Sequence, residues 1–86
     1  MPARVVMYRT PYCGYCVLAK RLLVSKGVAF DEIDVAGDDE KREWLREATG
    51  QHTVPQIFID GRSIGGYTEL NRLERSGELD ALLQSA

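Results

Sequence analysis

The sequence of 86 residues predicts an α/β fold in which a four-stranded mixed sheet is flanked by helices. Strand and helix patterns alternate along the chain, which first gives a strand, a helix and a second strand. Later, two strand patterns are separated by little more than Asp60 and Gly61. The first unit implies a parallel pair with a right-handed crossover, and the short turn implies an antiparallel pair. One sheet therefore holds both kinds of pairing.

The first half of the chain supplies the parallel pair. Residues 4–8, which contain the apolar run from Val5 to Tyr8, predict a strand, and residues 30–35 predict a second one. Between them, a helix over roughly 14–26 is predicted, with Gly27 as a natural end. Its apolar residues recur at helical spacing: Cys16, Ala19, Leu22 and Leu23.

A second helix is predicted between Asp38 and Gly50. Acidic residues stand at its start, as the helix dipole favours, and glycine stands at its end. Trp44, Leu45 and Ala48 recur at helical spacing, so we expect them on the packed face.

The last third of the chain predicts a hairpin followed by two helices. Residues 56–59 form a strand, and residues 63–64 a short return strand after the turn. Thr68 is a candidate cap for a helix that carries Leu70 and Leu73. After Gly77, leucines at helical spacing predict a short final helix. This order of elements is the thioredoxin-type arrangement.

Composition excludes several classes of protein. With 44% hydrophobic and 28% charged residues, residues 1–86 suit one small domain with a modest core. Apolar runs are short, so we expect no membrane partner and a cytoplasmic location. The net charge of −2 without a basic stripe indicates that the protein does not bind nucleic acid.

Cys13 and Cys16, the only two cysteines, lie between the first predicted strand and the first predicted helix. A C-x-x-C pair in that place is typical of a thiol–disulfide redox site. A sulfur at the helix start lies among unpaired backbone N–H groups, at the positive end of the helix dipole. Such thiols have pKa values of roughly 3.5–7.5 rather than about 8.5. We therefore expect Cys13 to attack disulfides and Cys16, about one turn on, to resolve the product.

A cysteine pair can also bind zinc or form a purely structural disulfide. A closed zinc site needs four ligands, and the single histidine, His52, is a poor complement to two cysteines. A structural disulfide across so short a loop removes little entropy from the unfolded chain, and small secreted scaffolds usually have further pairs. The redox interpretation is favoured over both.

The chain resembles glutaredoxins over essentially its full length. The resemblance depends on three segments: Cys-Gly-Tyr-Cys at 13–16, Thr-Val-Pro-Gln-Ile-Phe-Ile at 53–59 and Gly-Gly-Tyr-Thr-Glu-Leu at 65–70. It implies a glutathione-dependent oxidoreductase, and it implies that the Pro55 peptide is cis, so that the Val54 backbone pairs with glutathione like an added strand. The implied glutathione-binding residues are Arg9, Tyr15, Thr53, Val54, Pro55, Gly66, Tyr67 and Thr68.

Two positions depart from the family pattern. Many relatives have an aspartate where Thr68 stands, and a threonine supplies no charge for the ammonium of glutathione. Most have a basic residue where Thr10 stands, which leaves Arg9, one position earlier, to reach the glycyl carboxylate. His52 is a second candidate for that contact.

The predicted activity is reduction of protein–glutathione mixed disulfides and protein disulfides by a chain that is monomeric without ligand. One alternative is a [2Fe–2S] carrier, in which two chains each contribute Cys13 and a bound glutathione. Gly14 motivates it, because resembling proteins with a small residue there include cluster-binding forms. Another alternative is a thioredoxin-like reductant recycled by a flavoprotein, against which Tyr15 and the Gly-Gly-Tyr-Thr segment argue.

Overall fold

The computed structural model describes residues 3–84. Within them the strands are β1 (Val5–Arg9), β2 (Phe30–Asp34), β3 (Gln56–Ile59) and β4 (Arg62–Gly65). The helices are α1 (Gly14–Ser25), α2 (Asp39–Thr49), α3 (Tyr67–Ser76) and α4 (Glu78–Leu83). None of these helices is long and apolar enough to cross a membrane.

The strands form one sheet in the order β2-β1-β3-β4. β1 is parallel to β2, and β3 is antiparallel to both β1 and β4. Asp60 and Gly61 have φ of 51° and 79°, the positive values that a tight hairpin turn between twisted strands requires. The predicted mixed sheet and thioredoxin-type order are confirmed.

The main core lies between one face of the sheet and helices α1, α3 and α4. Alternate residues of β1 and β3 point into it, as the two-residue period of a strand dictates. Each large aliphatic side chain fully buried there contributes roughly 1.5–3 kcal/mol. The core residues include Val5, Met7, Ala19, Leu23, Ile57, Ile59, Leu70, Leu79 and Leu83.

The opposite face of the sheet is covered less completely. The Trp44 ring of α2 packs 5.6 Å from the Tyr8 ring and 5.8 Å from the Phe58 ring, measured between centroids. Trp44 nevertheless stays 47% exposed, and Ala48 is exposed too. The packed face of α2 is therefore narrower than the sequence pattern predicted, with Leu45 as its buried residue.

Helix ends follow the local sequence with one correction. The Asp38 carboxylate accepts a hydrogen bond from the Lys41 N–H at 3.0 Å and caps α2, as predicted. Thr68 was predicted to cap the next helix, and this is wrong, because α3 already begins at Tyr67. Its N-cap is Gly66, whose N–H donates to the Glu69 carboxylate at 3.1 Å. The Glu69 side chain, in the first turn of α3, thus caps the helix by accepting a hydrogen bond from its N-cap residue.

Candidate functional site

Cys13 occupies the N-cap of α1. Its backbone is extended, with φ −108° and ψ 108°, and its sulfur accepts a hydrogen bond from the Cys16 N–H at 3.1 Å. The sulfur therefore lies among the free N–H groups of the first helical turn, where a thiolate is stabilised. The local sequence explains this position, because the strand β1 ends at Arg9 and a short turn leads directly into the helix.

A disulfide joins Cys13 to Cys16, whose α-carbons lie 5.2 Å apart, within the usual range for a disulfide. The two cysteines differ in accessibility. Cys13 is partly exposed, whereas Cys16 is 5% exposed and faces the interior. This redox-active pair thus presents one accessible sulfur and one protected sulfur.

The loop before β3 meets the active cysteine. The carbonyl oxygen of Val54 lies 3.7 Å from the Cys13 sulfur. The Val54–Pro55 peptide is cis, as the family resemblance implied. Val54 is half-buried and Pro55 is buried, so packing holds this segment in place beside the reacting sulfur.

A cleft of about 510 Å³ is lined by Tyr15, which lies between the two cysteines in the chain, and by Val54, whose carbonyl oxygen is near the Cys13 sulfur. One wall of the cleft is formed by the loop before β3, and the other by the start of α3 and Tyr15. The rings of Tyr15 and Tyr67 stack with centroids 6.2 Å apart. Seven of the eight residues predicted to bind glutathione line this cleft: Tyr15, Thr53, Val54, Pro55, Gly66, Tyr67 and Thr68.

Arg9 is the predicted residue that the structure does not bring to this cleft. Its Nε lies 3.5 Å from a Glu32 carboxylate oxygen, and its Nη1 lies 3.4 Å from a carboxylate oxygen of Asp34. The parallel register of β1 and β2 sets Arg9 directly beside Asp34, so these acids hold the guanidinium. Arg9 instead lines a second, smaller cavity of about 220 Å³ with both cysteines.

Gln56 was missed by sequence reasoning. It is fully buried, and its side-chain amide donates to the Gln51 side-chain oxygen and to the Thr53 carbonyl, both at 3.0 Å. Gln51 and Thr53 both line the cleft. Gln56 therefore ties the cleft wall to the sheet. A glutamine within an otherwise apolar strand segment was the available signal.

Glu69 is a second missed residue. It lines the cleft, and its carboxylate supports the turn at Gly65 and Gly66. A β-carbon at Gly65 would lie 2.7 Å from a Glu69 carboxylate oxygen, and Gly65 has φ +110°. A side chain at position 65 would crowd Glu69 and would strain the backbone at this positive φ, so glycine is required there. Glu69 stands three residues after Gly66, the spacing of a capping box, and this spacing was the available signal.

The cleft has few charges. Among the described residues that line it, Glu69 is the one acid and His52 the one histidine, and neither a lysine nor an arginine occurs. Within residues 3–84 no group of three or more His, Cys, Asp or Glu is placed to hold a metal ion. A cluster shared between two chains stays a prediction from the sequence.

Comparison with known proteins agrees with this geometry. The glutaredoxin family model matches residues 5–64. A glutaredoxin of Pseudomonas aeruginosa is 49% identical over 81 residues, which cover 94% of this chain and 96% of that protein. Glutaredoxin 3 of Escherichia coli is 48% identical over 82 residues, covering 95% and 99% of the two chains.

Solved structures agree as well. A glutaredoxin from Brucella melitensis superposes with a TM-score of 0.87 at 43% identity, covering 96% of this chain and 90% of that one. A buckwheat glutaredoxin, solved as a glutathione complex, gives a TM-score of 0.89 at 33% identity, covering 94% and 76%. With its accessible N-cap cysteine, the chain therefore belongs to the glutaredoxin family and is a thiol–disulfide oxidoreductase.

Proposed function

We propose that this oxidoreductase uses glutathione to reduce protein–glutathione mixed disulfides and protein disulfides. The observation that supports it most is the cleft beside the disulfide, whose wall brings the Val54 carbonyl within 3.7 Å of the Cys13 sulfur. A tripeptide bonded to that sulfur has an adjoining groove to occupy. The related buckwheat glutaredoxin, solved as a glutathione complex, supports the same ligand.

The cleft matches the polar ends of glutathione. At the start of α3 the N–H groups of Tyr67 and Thr68 precede the first intrahelical hydrogen bond, and they suit the γ-glutamyl carboxylate. The Val54 backbone, which precedes the cis peptide bond, suits the cysteinyl residue of glutathione, in the manner of an added strand. The described residues that line the cleft include neither lysine nor arginine. His52 and Gln51 are therefore the side chains proposed to contact the glycyl carboxylate.

The first reaction is an exchange on a glutathionylated protein. The Cys13 thiolate attacks the glutathione sulfur, the bond to the protein sulfur breaks, and the protein leaves as a thiolate that takes up a proton. Cys13 is then bonded to glutathione. A second glutathione, as its thiolate, attacks that glutathione sulfur, so that oxidised glutathione leaves and the Cys13 thiolate returns. A low pKa at Cys13 helps both steps, since Cys13 is the attacking group first and the leaving group second.

Protein disulfides require the second cysteine. Cys13 first forms a mixed disulfide with the protein, and the Cys16 thiolate then attacks the Cys13 sulfur and releases the protein thiolate. The resulting Cys13–Cys16 bond is the one present in the structure. Two molecules of glutathione return it to the dithiol and leave as oxidised glutathione. A cytoplasmic location, where glutathione keeps thiols reduced, is part of this proposal.

The test is a coupled assay with the mixed disulfide of glutathione and 2-mercaptoethanol as substrate. We expect oxidised glutathione to form at a rate that rises with the concentrations of protein and glutathione. The same protein is assayed with a flavoprotein reductase in place of glutathione. Turnover with that reductase alone would support the thioredoxin-like alternative and contradict the proposal.

A further inference from the structure

Tyr12, the residue before the active cysteine, has an unusual combination of backbone and side chain. Its φ is +61°, in the left-handed region that crowds a β-carbon and that glycine, asparagine and aspartate mainly occupy. Its side chain is fully exposed, at 107% of the reference area. Burial within the described residues therefore does not offset the strained backbone. Backbone strain of this kind clusters at active sites and ligand-binding sites, so it indicates a functional role for Tyr12.

Exposed apolar side chains are also concentrated in the chain segment that begins at Tyr12. Six large hydrophobic residues are exposed within residues 3–84, and four of them lie between positions 12 and 18: Tyr12, Tyr15, Val17 and Leu18. Such clustering on a small protein marks an interaction site more often than scattered exposure does.

Two of these exposed residues, Tyr12 and Val17, line the smaller cavity beside Cys13 together with Pro11, and we call these three residues the Tyr12 surface. None of the three lines the larger cleft assigned to glutathione. The reactive sulfur thus adjoins two separate surfaces, one for glutathione and one without an assigned ligand.

The charges at the smaller cavity are already paired. Glu32 lies 3.0 Å from the Lys20 ammonium and 3.5 Å from the Arg9 Nε, and Arg9 also contacts Asp34. These ion pairs leave little unpaired charge to attract an ionic ligand. The Tyr12 surface is suited to an apolar partner.

We propose that the Tyr12 surface binds the polypeptide that flanks the cysteine of a glutathionylated substrate protein. This inference rests on the proposed function and specifies its substrate side. In the exchange the Cys13 thiolate bonds to the glutathione sulfur as the protein thiolate leaves, so the glutathione half fills the cleft and the protein half lies outside it. An extended chain advances about 3.3 Å per residue, so residues next to the leaving sulfur pass over the immediate neighbours of Cys13. A fully exposed aromatic ring offers them a large apolar contact.

The experiment compares two substrates with the same glutathione half. One is a short glutathionylated peptide whose cysteine is flanked by leucines; the other is the mixed disulfide of glutathione and 2-mercaptoethanol, which has no polypeptide. Both are assayed with the native chain, Tyr12→Ala, Tyr12→Gly and Tyr12→Phe. Val24→Ala is the matched control, because Val24 is exposed on α1, which also carries Val17, but does not line the smaller cavity.

Tyr12→Ala and Tyr12→Gly are expected to lower kcat/KM for the peptide by about tenfold, the effect of losing one apolar contact of moderate strength. With the small disulfide both should stay within about twofold of the native chain, and Tyr12→Phe and Val24→Ala should match it on both substrates. Tyr12→Gly also relieves the crowding at φ +61°, so a loss that both variants share is not due to added backbone strain.

Equal losses on both substrates would show that Tyr12 shapes the cysteine site itself, and unchanged rates on both would show that its ring contacts no substrate. Either result overturns the inference. Failure of the proposed function is a different outcome, since the native chain would then turn over neither glutathionylated substrate.

Discussion

The backbone N–H of Cys16 donates a hydrogen bond to the Cys13 sulfur across 3.1 Å. This contact places the accessible sulfur at the N-terminus of α1 and the resolving sulfur one turn inside the helix. A negative charge on Cys13 strengthens such a bond, because the donor then faces an anion. The geometry thus favours the thiolate at Cys13 rather than at the buried Cys16.

The first prediction is that the two cysteines are unequal in function. Cys13→Ser should abolish reduction of every substrate, because the accessible nucleophile is gone. Cys16→Ser should keep much of the activity on glutathione mixed disulfides and lose reduction of protein disulfides. Parallel assays on the two substrate types check this. Equal loss in both variants would contradict the assignment of attacking and resolving residues.

A second prediction concerns Gln56, whose amide holds Gln51 and Thr53 in the cleft wall. Gln56→Leu removes both hydrogen bonds and should lower the free energy of unfolding by roughly 1–3 kcal/mol. The concentration of glutathione needed for half-maximal rate should rise, while the maximal rate stays near its native value. Denaturant unfolding and a glutathione titration measure the two effects.

Gln51→Ala is the matched control for that variant, since it removes one of the two bonds and keeps the other. Its effects should have the same direction and be smaller. If Gln56→Leu lost stability with an unchanged glutathione requirement, Gln56 would serve the fold without shaping the cleft.

The third prediction addresses Arg9. Because Glu32 and Asp34 already hold its guanidinium, Arg9→Ala should leave the glutathione dependence of the rate unchanged. The Arg9 side chain is about one third exposed, so its ion pairs are weak. Their loss should reduce the free energy of unfolding by about 0.2–1 kcal/mol. A raised glutathione requirement would instead indicate that Arg9 contacts the glycyl carboxylate of glutathione, as the family resemblance implied.

Local signals in the sequence predicted much of the fold and the cysteine chemistry. Apolar spacing, the Asp60-Gly61 turn and the acidic start of α2 each act within a few residues, so they are visible without the structure. The partners of Arg9 were not visible, because they depend on the register between two strands. The burial of Gln56 was hidden for a similar reason, since neighbouring segments create it.

The start of α3 shows a different limit. Gly66 and Thr68 are both acceptable residues near a helix N-terminus, and the sequence alone did not separate them. The choice depends on Glu69, whose carboxylate reaches back to the Gly66 N–H only when the helix begins at Tyr67. With the cap predicted at Thr68, the capping role of Glu69 was not visible in the sequence.

The fourth prediction is a pH dependence of stability at Lys26, which follows the last turn of α1. Hydrogen bonds to Asp80 and then to Glu74 raise the pKa of Lys26 above its usual value of 10.5. The ammonium lies 2.6 Å from the Asp80 carboxylate and 2.7 Å from that of Glu74, so it joins α1 to α3 and α4.

A pKa raised in the folded chain means that these ion pairs stabilise the fold below the unfolded-state pKa. The stabilisation is lost as pH rises through the folded-state pKa. Lys26→Met should therefore melt at a lower temperature than the native chain at neutral pH, and the difference should shrink above pH 10.5. A difference that stays constant across this range would exclude the ion pairs as its cause.

In the proposed reaction, Cys13 carries the glutathione intermediate. The most direct test of this role is mass spectrometry of the reduced Cys16→Ser variant after exposure to oxidised glutathione. One glutathionyl group on Cys13, removed on addition of reduced glutathione with formation of oxidised glutathione, is the predicted result. A variant that stays unmodified, or an adduct that reduced glutathione cannot remove, would contradict this role of Cys13.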